Sequence, residues 1–242
     1  SNLIFMLFNS FEFLIFFPIV CIIYFLLKNN KYRNPFLLIV SYYFYMNWKP
    51  IYALLLIAST LITYFGGILI EHKNDNKKRK KIFLILSLVF NLGILFIFKY
   101  YNFINGSIFN ILQILGVRWV VPNLDILLPV GISFYTFIAA GYIIDIYKGN
   151  IKAERYIITY SLFIAFFPQI LAGPIRQAKT MLPQFHKEHS FSYNNAVEGI
   201  KMMIWGYFMK LCVADRISEY VNAVFDNVPM HNGNSLILAS IL

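Results

Sequence analysis

The sequence predicts an all-α, polytopic membrane protein, a helical bundle that includes broken or re-entrant helices. Three observations carry that prediction. Hydrophobic residues make up 59% of the chain and charged residues 13%, with a mean hydropathy of +0.64, whereas a soluble domain coats itself with about 25% charged residues. The apolar residues fall in segments about as long as a helix needs to cross roughly 30 Å of hydrocarbon. The 21 Lys and Arg gather in short runs between those segments. The same figures exclude intrinsic disorder, and two Cys in 242 residues exclude a disulfide scaffold. The net charge of +10 sits in loops, where it holds a chain's orientation, so it is not read as a nucleic-acid surface.

Residues 11–27 form the first expected span, with Glu12 at its mouth and Pro18 inside. A basic turn with Lys28, Lys31 and Arg33 follows, then a short span at 35–48 that ends on Asn47-Trp48-Lys49-Pro50, an interfacial anchor and a new helix start. Residues 51–70 make a full span and run into the basic stretch 71–81, which must lie in water. A fourth span, 82–98, is expected to stop at Lys99. Gly106, Gly116, Pro122 and Asp125 interrupt 103–128, read as an interfacial helix plus a loop. Residues 128–147 form the next span, closed by Lys148-Gly149-Asn150. The segment 156–172 is abnormal, because Pro168, Gly173 and Pro174 break it near its far end. Irregular backbone at membrane depth is tolerated only beside protein or a water-filled cavity, which makes this a funnel-lining or re-entrant element. Residues 176–195 are polar, 196–213 apolar with Lys201 and Lys210, and 215–227 amphipathic.

The last run, 235–242, is too short to span, and the end reads as a cut inside a helix of a longer protein. Met6 offers a plausible start, leaving residues 1–5 upstream, and no cleavable signal peptide is expected ahead of the first span. With the N-terminus outside, loops 28–33, 71–81 and 148–155 hold 3, 6 and 3 basic residues on the inside, against 1 in 47–50 and 2 in 99–128. This bias orients the chain.

Sharper chemical motifs mostly fail. Gly131-Ile132-Ser133-Phe134-Tyr135 lacks the glycine that a nucleophile elbow needs two residues after serine. His186 and His189 lie three apart without an HExxH pattern or third ligand, and read with His72 and His231 as solvated residues; no metal site is expected. Cys21 and Cys212 read as packing residues. Lys201, Lys210 and Asp215 border their helix and can snorkel. Asp145 reads either as an interfacial partner of Lys148 or as a pathway residue, and Gln169, beside Pro168, as a pocket residue. No histidine lies in the middle of an apolar span.

Several segments in this order resemble the bacterial membrane-bound O-acyltransferase family. They are Leu128-Pro129-Val130-Gly131-Ile132-Ser133-Phe134-Tyr135, Tyr142-Ile143-Ile144-Asp145-Ile146-Tyr147-Lys148-Gly149, Phe166-Phe167-Pro168-Gln169-Ile170-Leu171-Ala172-Gly173-Pro174-Ile175 and Leu182-Pro183-Gln184-Phe185. Phe16-Phe17-Pro18, Ser41-Tyr42-Tyr43-Phe44-Tyr45, Phe98-Lys99-Tyr100-Tyr101-Asn102-Phe103 and Lys210 with Ala214-Asp215 also fit, in the alginate O-acetyltransferase-like branch. The pattern departs at Arg176 and Gln177, where many relatives carry an acidic residue and then Arg.

The resemblance implies that residues 1–242 are the N-terminal part of one membrane domain of an O-acyltransferase, inactive alone. Such an enzyme moves an acyl group, commonly acetyl, from a cytoplasmic donor to hydroxyls of a polysaccharide outside the membrane. It implies a multi-pass protein of the bacterial plasma membrane, no bound cofactor, acetyl-CoA or an acyl-carrier thioester as donor, and extracytoplasmic acetylation proteins as possible partners. The family's catalytic histidine is expected after Leu242. Gln169, Pro168, Gly173, Pro174, Ser133 and Tyr135 are the candidate funnel lining. D-alanyl transfer to teichoic acid within the same family, and a non-catalytic transporter or scaffold, are the alternatives.

Overall fold

A computed structural model of the chain describes residues 6–72, 76–114, 128–171 and 173–241, all helix or connection with no strand among them. Two compact units divide it, Ser1–Glu188 and His189–Leu242.

In the first unit, α1 (Phe11–Leu26) starts where the Ser10 hydroxyl accepts from the Phe13 N–H, an N-cap that satisfies one orphan amide of the first turn. The second helix, α2 (Asn30–Met46), begins five residues earlier than the sequence reading placed its span. Asn29 caps it by accepting from the Lys31 N–H at 2.8 Å. The expected basic turn is therefore partly helical, and Arg33 is buried instead of solvated. Its Nε donates to the carbonyls of Tyr24 and Leu27, and its guanidinium lies 4.7 Å from the centre of the Tyr24 ring. The cation closes the negative end of α1.

Next, α3 (Tyr52–His72) matches its predicted span, and its 21 residues cover about 31 Å at 1.5 Å per residue. The fourth helix corrects the sequence reading. α4 (Lys77–Ile114) is continuous for 38 residues, through Lys99 and Gly106, where a stop and a separate interfacial helix were expected. A lysine and a lone glycine weaken a helix by at most about 1 kcal/mol and do not end it. Of the segment 103–128, expected to be an interfacial helix plus a loop, residues 115–127 lie outside the described residues, as do residues 73–75 of the basic run. Both α3 and α4 are long and apolar enough to cross a membrane. Only 17% of the apolar window of α4 is buried inside the protein, with Leu86, Val89, Phe90, Phe96 and Ile97 exposed, the surface expected of a helix bathed in lipid rather than water.

α5 (Ile132–Lys148) packs against both α3 and α4, which also pack on each other. The close approach rests on Gly67, where a Cβ would stand 2.8 Å from Ile146 Cδ1 and 3.0 Å from the Tyr142 ring. Small residues let membrane helices approach in this way. Polar side chains are paired inside the packing: Ser59 donates to Asn91 Oδ1, Asn91 Nδ2 to the Ser87 carbonyl, and the Tyr160 hydroxyl to Thr63 Oγ1 at 2.7 Å. At the end of α5 the Asp145 carboxylate accepts from Asn150 Nδ2 at 3.0 Å, so its hydrogen-bond partner is Asn150 where Lys148 had been considered.

The segment expected to be broken is broken. α6 (Ile157–Ala165) ends at Phe166 and restarts as α7 (Phe167–Ile170). Beyond it the polar stretch carries α8 (Ala178–His186), with Ala178, Met181, Leu182 and Phe185 buried, a helical spacing that its charged neighbours masked. His186, read as a solvated loop residue, is exposed but ends this helix, with its Nε2 2.7 Å from Glu154 Oε2. Glu154 is buried and also accepts from the Tyr156 N–H at 2.9 Å. The Asn30 and Asn34 amides donate to the Phe185 carbonyl and fix α8 on α2.

The second unit holds α9 (Tyr193–Phe208), a π-helical stretch Met209–Ala214, α10 (Asp215–Asp226) and α11 (Gly233–Ile241). Lys210, in the π-helical stretch, pairs with Asp215, and Lys201 with Glu198 at 2.8 Å.

Candidate functional site

The break between α6 and α7 leaves backbone groups without the partners a continuous helix gives, and proline at 168 has no N–H to offer. Their satisfaction is built from α2. Ser41, fully buried, accepts from the Phe167 N–H at 3.2 Å while its own hydroxyl donates to the Leu37 carbonyl at 2.7 Å. The Phe167 ring is held by Phe44 at 5.5 Å, Phe16 at 5.6 Å and Phe13 at 6.5 Å between ring centres. Irregular backbone is thus paired and packed by protein, as an apolar environment requires.

The start of α5 closes on the end of α7. Gly131 has φ +73°, and a Cβ there would strike the Ile170 carbonyl oxygen, so glycine is needed for both the dihedral and the contact. Gly173 is similarly tight, its absent Cβ 2.7 Å from Gln169 Cα.

Among the described residues, four buried side-chain polar atoms have no hydrogen-bond partner: the Tyr45 and Tyr135 hydroxyls and both amide atoms of Gln169. Such groups are rare in a folded core and each calls for a reason. These belong to three elements that meet here, the end of α2, the start of α5, and α7. Gln169 is 5% exposed and Tyr135 1%, so two of the six sequence candidates are buried polar groups at the break. The others differ. Ser133 is half-buried in the first turn of α5, Gly173 is half-buried, and Pro168 and Pro174 are exposed. Sequence reasoning missed Tyr45, Ser41 and the Glu154–His186 pair as site or scaffold residues. Tyr45 and Ser41 stood in the quoted Ser41-Tyr42-Tyr43-Phe44-Tyr45 segment, but nothing in a single sequence shows that Ser41 meets Phe167, 126 positions away.

Met6, Leu7, Phe44, Tyr45, Asn47, Trp48, Val130 and Leu171 line a small crevice of about 40 Å³ beside this junction. Among the described residues no three His, Cys, Asp or Glu side chains gather as metal ligands.

An apolar helical bundle with a broken helix seated on paired polar groups defines a helical membrane protein with an internal polar junction. The chain is 36% identical to the probable alginate O-acetylase AlgI of Pseudomonas aeruginosa over 222 residues, 91% of this chain and 42% of that one. It is 34% identical to the probable alginate O-acetylase AlgI of Azotobacter vinelandii, over 91% of this chain and 44% of that one. To the peptidoglycan O-acetyltransferase of Helicobacter pylori it is 30% identical over 91% of its length and 47% of the relative's. No family model and no solved structure matches it. These homologues, named alginate O-acetylases and a peptidoglycan O-acetyltransferase, match 91% of this chain, in agreement with the resemblance of its segments to the membrane-bound O-acyltransferases. The chain spans under half the length of the curated relatives it matches.

Proposed function

We propose that this chain forms the N-terminal part of an O-acyltransferase that carries an acyl group, most simply acetyl, from a cytoplasmic thioester to hydroxyls of a polysaccharide outside the membrane. The observation that carries the reading is the α6–α7 break. It places buried, unpartnered polar atoms of Gln169, Tyr135 and Tyr45 in an apolar bundle, and relatives over 91% of the chain are named O-acetylases. Acyl transfer joins an acceptor oxygen to the thioester carbonyl carbon, breaks the carbon–sulfur bond, and passes the hydroxyl proton by way of a base to the leaving thiolate. We take that base to be a histidine beyond Leu242. Residues 1–242 supply the bundle and the junction that orient the acceptor and exclude water. A thioester of coenzyme A or of a carrier protein is the donor, and an alginate-like or peptidoglycan-like polymer the acceptor.

Two measurements test this reading. Gln169→Ala in the full-length protein is expected to lower acetyl transfer to polysaccharide by roughly tenfold, the worth of one or two well-placed hydrogen bonds, with membrane insertion and melting temperature retained. Undiminished turnover would remove Gln169 from the site. We also place the N-terminus outside and the basic runs in the cytoplasm. Cysteine introduced at Lys78 of the exposed start of α4 is then labelled by an impermeant maleimide only after the cells are opened, and labelling of intact cells would reverse the topology.

A further inference from the structure

We propose that the basic end of the α3, α4 and α5 packing binds an anionic phospholipid, its phosphate among Lys78, Arg79 and Lys81 and its acyl chains along the exposed face of α4. Cations from α4, α5 and the connection after α5 meet at this end. The Lys80 ammonium lies 5.4 Å from the centre of the Tyr147 ring, which sets the start of α4 beside the end of α5 and its exposed Lys148. Arg155 bonds to Glu71 at 2.6 Å, and its carbonyl accepts from the Tyr64 hydroxyl at 2.6 Å, so the connection lies against the end of α3. The carboxylates described nearby are already engaged: Glu71 by Arg155, Asp145 by Asn150, and Glu154 by His186 and the Tyr156 N–H. Lys77, Lys78, Arg79 and Lys81 are exposed and have no ion pair among the described residues.

Cations this close together repel one another, and a bound anion relieves that repulsion. What lies below them decides which anion. Ile82, Ile85 and Leu86 are exposed, and Val89 and Phe90 continue the same stripe. Lys78 stands four residues before Ile82, Lys81 four before Ile85, and Arg79 seven before Leu86, so each cation shares a helix face with an exposed apolar side chain. Four residues cover about 6 Å along the axis, and the headgroup layer is about 5–8 Å thick on each side of the hydrocarbon. A phosphate held by these cations therefore stands one turn above acyl chains lying on Ile82, Ile85 and Leu86. Lys80 is the member of the run turned inward, over Tyr147. A soluble anion would use the cations and leave the stripe idle. A zwitterionic lipid would carry a positive group into a cluster that is already positive. The acyl-transfer chemistry has no part in this inference.

To test it, the full-length protein is held in an uncharged detergent and its bound molecules are counted by native mass spectrometry across a titration. The probes are phosphatidylglycerol, phosphatidylcholine, glycerol 3-phosphate as a headgroup without tails, and polyglutamate as a soluble polyanion. Phosphatidylglycerol is expected to be retained in preference to the other three. Lys78→Gln combined with Lys81→Gln should weaken its binding by about fivefold for each cation removed. Lys179→Gln combined with Lys187→Gln takes the same charge from exposed positions on α8 and just after it, and should leave binding unchanged. Both double variants should keep the helix content and melting temperature of the wild type. Equal retention of phosphatidylglycerol and phosphatidylcholine would overturn the proposal. So would wild-type binding in the α4 variant, or equal losses in the two double variants, since net charge alone would then attract the lipid. Glycerol 3-phosphate bound as tightly as the whole lipid would remove the acyl stripe from the argument and overturn it as well. Tighter binding of polyglutamate, lost with Lys78 and Lys81, would replace the lipid with a soluble acidic partner.

Discussion

Gly131→Val is expected to lower the melting temperature of the detergent-solubilised protein by roughly 10 °C, the largest effect of any single substitution at the break. Two costs add. A β-branched residue at φ +73° sits in the left-handed region at a cost of about 1–2 kcal/mol. Its Cβ also meets the Ile170 carbonyl oxygen, which is backbone and cannot rotate away, so α5 and α7 must separate, at about 1–3 kcal/mol for overpacking. A total near 3–4 kcal/mol corresponds to about 2–4 °C per kcal/mol in a unit of this size. Gly141→Ala is the control in the same helix. Nothing lies within 4 Å of its added Cβ, and alanine there should be neutral or raise stability by about 0.5–1 kcal/mol. Equal losses in the two variants would show that the α5–α7 contact carries no special constraint.

Arg33→Met should cost about 3 kcal/mol, read as a fall in melting temperature, although the residue sits in a run whose composition reads as a solvated topological charge. The side chain is 4% exposed. Methionine keeps the packing volume and removes the donor that holds the Tyr24 and Leu27 carbonyls, charge-assisted bonds worth about 1.5–3 kcal/mol each. It also removes the cation from the Tyr24 ring. Arg33→Lys retains charge and loses the planar fork, so it should recover less than half of the loss. Lys31, exposed two residues earlier, is the comparison: Lys31→Met should change stability by under about 0.5 kcal/mol. If Arg33→Lys matched the wild type, charge alone would suffice and the buried cap would be unimportant.

These residues show how legibility varied along the chain. The spans at α1, α3 and α5 were read within a few residues, because about 20 apolar residues in a row report burial in lipid without reference to any partner. The break before Pro168 was read too, since proline and glycine limit the backbone locally. The continuation of α4 through Lys99 was not, because an exposed helix tolerates residues that look like a stop. α8 was not, although Ala178, Met181, Leu182 and Phe185 already had helical spacing. Glu154 and His186 are 32 residues apart, and the bond between them has no sequence signature.

Composition and local order thus settled that this is a helical membrane protein, where most of its apolar segments lie and where one of them breaks, since each of those depends on transfer from water and on backbone limits within a few residues. The fold alone decided which polar groups meet at the break. Tyr45, Gly131, Tyr135 and Gln169 come from three separate helices, and only the packing of α2, α5 and α7 gives their hydroxyls, amide and bare Cα a shared environment. Partnership between distant side chains is a property of close packing, and a linear sequence of hydrophobic and polar residues does not encode it in any readable period.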